Sequence, residues 1–207
     1  MKKFFTAIVA MMLAVPSFAQ FASGGFELDK NNVYYGARMG LNLASMSGDG
    51  LKDFDGMRAG LNLGGVVGLR VSSKSPVFLE SGFYYTQRGG NNDDVKMTLK
   101  YLEVPLVIKY GIKATDDIAV LPFLGPYFSY AIGGRFKGKD KMGVKIDESS
   151  FNAVNHGDMG LKLGCGMEYD MLYLEAGYQF GIANIADDDI DDPIHSNALF
   201  INFCVNF

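Results

Sequence analysis

The stretch Tyr35-Gly36-Ala37-Arg38-Met39-Gly40-Leu41-Asn42-Leu43-Ala44-Ser45 decides the fold. Tyr35, Ala37, Met39, Leu41 and Leu43 stand at every second position, with Gly36, Arg38, Gly40, Asn42 and Ala44 between them. Side chains leave a β-strand on alternate faces, so a period of two gives one apolar face and one small or polar face. A helix would mix the two sets and would carry glycines that cost about 1 kcal/mol each.

The same period runs outward along the chain. Ala59, Leu61, Leu63, Val67, Leu69 and Val71 alternate with Arg58, Gly60, Asn62, Gly64, Gly68 and Arg70. Val77, Leu79, Phe83 and Tyr85 oppose Glu80, Gly82, Tyr84, Thr86 and Arg88, and Leu102, Val104, Leu106, Ile108 and Tyr110 oppose Tyr101, Glu103, Pro105 and Lys109. The segment from Ile118 to Ile132 is apolar on both faces, and its Pro122 and Pro126 predict a bulge. Met159 to Tyr169, Leu172 to Ile182 and Leu199 to Phe207 resume the alternation. The expectation is an all-β chain, an eight-stranded antiparallel up-and-down transmembrane β-barrel.

The connections alternate in length. Ser47–Gly56, Gly89–Lys96, Gly134–Asn155 and Ala183–Ser196 are long, whereas Ser72–Ser75, Lys113–Asp117 and Asp170 are short. Short turns on one side of a bilayer and longer loops on the other are the habit of outer-membrane barrels. That order places both ends of the chain in the periplasm.

The beginning of the chain differs. Lys2 and Lys3 precede an apolar run from Phe4 to Val15, then Pro16-Ser17-Phe18-Ala19. A positive start, a short apolar stretch and a small-x-small site predict a signal peptide over 1–19, cut after Ala19. Residues 20–32 are then a periplasmic N-terminal segment and 33–207 the barrel domain. Loss of Lys2 and Lys3 takes the formal charge from −4 to −6, which speaks against a nucleic-acid partner. Cys165 and Cys204 could pair in an exported protein. They fall on opposite faces of strands that are not neighbours, so free thiols are expected.

Alternation alone does not say which face is outside, and a soluble lipocalin-like ligand-binding barrel would share it. Three features favour apolar side chains toward lipid. Glycine interleaves with Arg38, Arg58, Arg70, Arg88, Lys109 and Lys162, and with Glu80, Glu103, Asp158, Glu168 and Glu175, as suits a narrow interior whose charges need partners. The last residue is Phe207, with apolar residues at every second position before it, resembling the signature read by barrel-assembly machinery. Tyr35, Tyr85, Tyr110, Tyr130, Tyr169 and Phe207 lie near strand ends, where amphipathic rings meet headgroups.

Several stretches resemble PorT-like outer-membrane β-barrel proteins. They are Gly36-Ala37-Arg38-Met39-Gly40-Leu41-Asn42-Leu43 and Glu80-Ser81-Gly82-Phe83-Tyr84-Tyr85-Thr86-Gln87-Arg88-Gly89. Tyr101-Leu102-Glu103-Val104-Pro105-Leu106, Gly125-Pro126-Tyr127 and Tyr178-Gln179-Phe180-Gly181-Ile182 with Asn184-Ile185 follow in the family's order. The resemblance spans about Val33 to Phe207. It implies a small outer-membrane barrel, some relatives of which serve secretion or assembly of surface proteins, and it carries no catalytic residues.

Chemistry is sparse. The histidines are His156 and His195, each where a long loop enters a strand. With Ser196, Asp158 and Asp192 they offer a lipid-acting Ser/His/Asp site or a His-His-carboxylate metal site, against the plainer reading of two solvated loop histidines. Asp187, Asp188, Asp189, Asp191 and Asp192 lack the staggered spacing of a calcium loop and read as a solvated acidic loop. Arg135, Lys137, Lys139, Lys141 and Lys145 make the preceding long loop basic, able to meet the acidic loop or lipid phosphates. The expectation is a non-enzymatic protein with a plugged lumen and no cofactor, metal or catalytic residue. Its partners are then outer-membrane lipid, the barrel-assembly machinery through Phe207, and envelope proteins through the loops.

Overall fold

The structure is a computed structural model, and it describes residues 32–47, 56–91, 95–139, 145–148, 156–185 and 194–207. Eight long strands follow one another: β1 (Val33–Ser47), β2 (Gly56–Arg70), β3 (Val77–Arg88), β4 (Val95–Tyr110), β5 (Ile118–Lys139), β6 (Gly157–Tyr169), β7 (Leu172–Gly181) and β8 (His195–Asn206). Each pairs antiparallel with its sequence neighbours, and β8 returns to β1. The ring is closed, so no long strand is left with an open edge. Residues 1–31, which include the expected signal peptide and N-terminal segment, lie outside the described residues.

Side-chain polarity chooses the faces. Leu61, Leu106 and Leu163 are 40%, 42% and 41% exposed, while Glu103 and Lys162 are 1% and 3% exposed. The apolar face therefore points outward and the ionic face inward, the reverse of a lipocalin-like barrel. Cys165 is exposed and Cys204 buried, and both are free thiols. They sit on β6 and β8 with β7 between them.

At one end the connections are tight and locally bonded. Ser72 Oγ accepts from the N–H groups of Lys74 and Ser75, and Thr115 Oγ1 accepts from Ile118 N–H. Asp170 turns β6 into β7 at φ 54°, a left-handed conformation that Asp tolerates better than most residues. Tyr35, Tyr110 and Tyr169 ring this turn end, about half exposed. At the loop end, Tyr85 and Tyr130 flank Leu102 from either side in register.

The fifth strand corrects one expectation. Pro122 and Pro126 cause no bulge: β5 pairs with β6 in unbroken register through Pro122–Cys165 and Pro126–Leu161. Leu121, Phe123, Tyr127, Ser129 and Ala131 face inward and Leu124, Phe128, Tyr130 and Ile132 outward. The segment looked apolar on both faces because its lumen positions carry Leu, Phe, Tyr and Ala rather than charges. The irregularity lies higher, where Lys100 pairs with Gly133 but Tyr101 with Ala131, leaving Ile132 as the extra residue.

The expected long loop over 134–155 is also partly strand. β5 continues to Lys139 and folds back on a short strand, Lys145–Glu148. Likewise Gly90–Asn91 is a two-residue strand that pairs with Gly56 and Met57, so the connection before β4 is shorter than Gly89–Lys96. At the other end Ile112–Lys113 pairs with Val120 and Ala119.

Candidate functional site

The inward positions build the only densely functionalised region among the described residues, and it begins with glycine. A Cβ on Gly68 would collide with the ring of Tyr34, and one on Gly166 with the ring of Tyr173. Glycine on the inner face thus seats a tyrosine that lies flat across the wall. Between these rings, long charged side chains cross the barrel.

Nearer the turn end, Glu80 is the hub. It accepts from Tyr34 Oη at 2.6 Å and Arg38 Nη2 at 3.0 Å, and pairs with Lys109 Nζ at 2.9 Å. Arg38 Nη1 donates to Asn206 Oδ1 at 2.6 Å, and Asn206 Nδ2 donates to Glu168 Oε1 at 2.9 Å. Lys109 reaches Glu175 at 3.6 Å, and its Nζ donates to Tyr173 Oη at 3.2 Å. Asn202 Nδ2 donates to Glu175 Oε1 and Asn62 Nδ2 to Asn202 Oδ1. The chain of bonds joins β1 to β4 with β6, β7 and β8.

Nearer the loop end, Arg88 is the hub. It binds Glu103, reaches Asp158 Oδ2 at 2.6 Å and donates to Ser129 Oγ at 2.9 Å. Gln179 Nε2 donates to Glu103 Oε1 at 2.8 Å, and Lys162 lies 3.7 Å from the same oxygen. Arg88 also stacks on Tyr101 and Tyr127, and Lys162 on Tyr84 and Phe200. Such ring contacts strengthen when water is excluded.

Apolar side chains separate and cap the two hubs. Val107, Phe123 and Phe200 pack together at mid-height. Above Arg88, Met46, Met97, Leu99, Tyr101, Ala131 and Ile185 form a buried cluster against which Ile194 packs. Ile185 N–H donates to Ile194 O at 2.9 Å, joining the described residues on either side of the last long connection. A buried charge is tolerated only with partners, and each hub supplies them from strands far apart in sequence.

The residues picked out in the sequence fall as follows. Arg38, Arg88, Lys109 and Lys162 are buried with Glu80, Glu103, Asp158, Glu168 and Glu175, while Arg58 and Arg70 are half-buried at the two ends of β2. Arg70 lies over the ring of Phe78 at 5.1 Å. Met39, Met159 and Met167 face outward. His156 stacks on Tyr130 with centroids 5.9 Å apart, and His195 Nδ1 is 3.2 Å from Ala183 O. The two histidines enter β6 and β8, the strands on either side of β7. Ser196 is buried while its neighbour His195 is half-buried, and Asp158 is held by Arg88. Asp192, the other carboxylate of the candidate Ser/His/Asp set, lies outside the described residues. Asp187 to Asp192 and Lys141 lie outside the described residues.

Sequence reasoning placed the charges on the inner face but missed their tyrosine and amide partners, chiefly Tyr34, Tyr173, Gln179, Asn202 and Asn206. The usable signal was glycine on the inner face beside a ring: Gly68 is directly opposite Tyr34, and Gly166 lies two residues from Glu168, the partner of Tyr173.

The family model for the outer membrane protein β-barrel domain matches residues 18–187. The structure adds β8 beyond that stretch, the strand that closes the ring. Among solved structures, the chain is similar to a major outer membrane protein from Thermus thermophilus. That likeness has a TM-score of 0.51 at 12% identity and covers 86% of this chain and 100% of that one. It is also similar to Ail, the attachment invasion locus protein of Yersinia pestis (TM-score 0.46, 15% identity, 86% and 100% covered). Neisserial surface protein A gives a TM-score of 0.47 at 18% identity, with 86% and 98% covered. At such identities the likeness is one of fold. No curated protein sequence matches the chain. A closed eight-stranded wall, lipid-compatible outside and ionic within, joined to the family match, makes this chain a member of the outer membrane protein β-barrel domain family, spanning the outer membrane.

Proposed function

We propose that the chain is a non-enzymatic outer-membrane barrel of the PorT-like kind, with a plugged lumen and a role in surface interaction or in assembly of surface proteins. The observation that carries this reading is Arg88. One guanidinium on β3 engages Glu103 on β4, Ser129 on β5 and Asp158 on β6, so it lies across the passage rather than lining it. A porin needs the opposite, an interior left to water. An eight-stranded barrel is narrow enough for side chains to fill.

Export uses residues 1–19 as a cleaved signal peptide, and 20–32 form a periplasmic lead into β1. Phe207 is the contact for the barrel-assembly machinery. Partners from the envelope meet the loops at the extracellular end.

Two measurements test this. Proteoliposomes carrying the folded barrel are expected to resist swelling in small sugars, and swelling at porin-like rates would overturn the plugged lumen. Cross-linking and pull-down from detergent-solubilised outer membranes is expected to recover a specific envelope protein that loop-trimmed variants lose. Recovery of the same proteins by both would remove the loop-mediated role.

A further inference from the structure

Three prolines withhold hydrogen bonds from one strand of the wall. Successive residues of an antiparallel strand turn their N–H and C=O groups to opposite neighbours, and proline has no N–H to turn. Pro105 on β4 faces β3, since its carbonyl accepts from Ser81 Oγ at 2.8 Å. On β5, Ala131 N–H donates to His156 O on the β6 side. Pro126 and Pro122 lie an odd number of residues before Ala131, so they face β4. The carbonyls opposite the three prolines, of Gly82, Leu106 and Tyr110, lose their ladder donors. The registers record the loss. Pairing of β3 with β4 stops at Ser81–Leu106 and resumes at Tyr84–Glu103. Pairing of β4 with β5 stops at Pro105–Tyr127 and resumes at Ile108–Leu124. It stops again at Lys109–Phe123 and resumes beyond β4 at Ile112–Val120. The other six ladders of the ring run without a missing pair.

In lipid the ladder is what holds a strand in the wall. At Pro105 and Leu106, β4 is loosened along both edges, at mid-height and against the bilayer. Outside this place stand Leu106, Leu124 and Phe128, with Phe83 on β3 as one of the most exposed apolar side chains, at 69%. Directly inside stand Val107 and Phe123, which pack with Phe200. Along β4 the charges of the two hubs come two residues to either side of this stretch, Glu103 above Pro105 and Lys109 below Val107. Gly125 lies between Val107 and Phe123, and a Cβ there would strike Leu106 O. A chain passing between β4 and β5 at this height therefore moves from an apolar wall to an apolar cluster and meets neither hub.

We propose that a lipid acyl chain enters the wall between β4 and β5 at Leu106–Pro126 and rests on Val107, Phe123 and Phe200. The occupant is an acyl chain because lipid is the medium on that face and the side chains behind it carry no charge. Lipid tails are as apolar as the cluster, so entry exchanges one apolar neighbour for another and is governed by how readily the ladder opens. Pro126 keeps the ladder weak by leaving Leu106 O without a donor. Pro105 lets β4 move away from β3, and Ser81 limits that movement by holding the Pro105 carbonyl. The hubs above and below keep the lumen closed along its axis, so the site does not depend on opening the plug.

The test reconstitutes the folded full barrel into vesicles of a phosphatidylcholine whose acyl chains carry a diazirine at mid-length. Adducts formed on photolysis are mapped by mass spectrometry, with the outward Leu161 as the reference for total labelling. Adducts are expected on the inward Val107 and Phe123, and not on Val66, which is inward behind unbroken ladders. Pro126→Val restores an N–H opposite Leu106 O and is expected to lower the inward labelling roughly fivefold, the shift that one net hydrogen bond gives. Ser81→Ala frees the Pro105 carbonyl and is expected to raise it. Adducts confined to outward side chains, equal labelling of Val66, or inward labelling that responds to neither variant would overturn the proposal. The comparison of Val107 and Phe123 with Val66 on the unaltered protein decides the matter even if neither variant folds.

Discussion

Tyr35 and Phe207 exchange both backbone hydrogen bonds, Tyr35 N–H to Phe207 O at 3.0 Å and Phe207 N–H to Tyr35 O at 2.7 Å. The pair extends the β1–β8 ladder by one step past Gly36–Asn206 and completes the seam at the turn end. In lipid an unpaired backbone group costs several kcal/mol, so the seam is where closure matters most.

Phe207→Ala keeps these backbone bonds and removes only the ring. The variant is expected to fold normally from urea into detergent micelles. In cells it is expected to reach the outer membrane at a reduced level, because the ring is the proposed contact for assembly. A heat-modifiability gel on both preparations checks this. Equal reduction in micelles would mean that the ring acts in folding alone.

Arg88→Leu leaves Asp158 buried without its cation and Glu103 with Lys162 alone, at 3.7 Å. Removing one partner of a buried ion pair costs about 3–5 kcal/mol. Adding Asp158→Asn to the same chain is expected to recover most of that loss, because Glu103 keeps Lys162 as its cation. Urea titrations of the folded barrel in lipid vesicles compare the variants.

Gly68→Ala forces a methyl group into the ring of Tyr34. Overpacking of this sort typically costs about 1–3 kcal/mol, and shortening the ring in Tyr34→Leu is expected to relieve part of it. A double-mutant cycle by urea unfolding measures the coupling. Additive losses would show that the glycine has no role in seating the ring.

His156→Ala combined with His195→Ala is expected to leave lipid A and phospholipid profiles of the cell unchanged, since the two rings enter separate strands. A changed acyl pattern in mass spectra of extracted lipid would restore the enzymatic reading.

Much of this architecture is legible in the sequence because a barrel wall has a period of two, and polarity labels its faces. The run from Tyr35 to Ser45 announces both facts. Where the label fails, the reading fails with it. The inner face of β5 carries Leu121, Phe123 and Tyr127 instead of charges, so prolines on that strand drew attention away from the bulge at Ile132. The extension of β5 to Lys139 was hidden for another reason, because charged residues above the membrane read as loop whether or not they pair. The faces of Arg88 and Asp158 could be read locally, but their meeting depends on how strands three apart are staggered around the barrel, which no local pattern encodes.

The central claim is that the apolar face meets lipid, and Leu163 and Cys165 lie on it near the middle of β6. Leu163→Arg is expected to cost about 2–4 kcal/mol, the penalty of a cation near the midplane of the bilayer. The most direct measurement is fluorescence from a label on Cys165 in the Cys204→Ser background, reconstituted into vesicles. The account predicts strong quenching by lipids brominated at mid-chain and none by aqueous iodide. Quenching by iodide with no effect of the brominated lipids would contradict it.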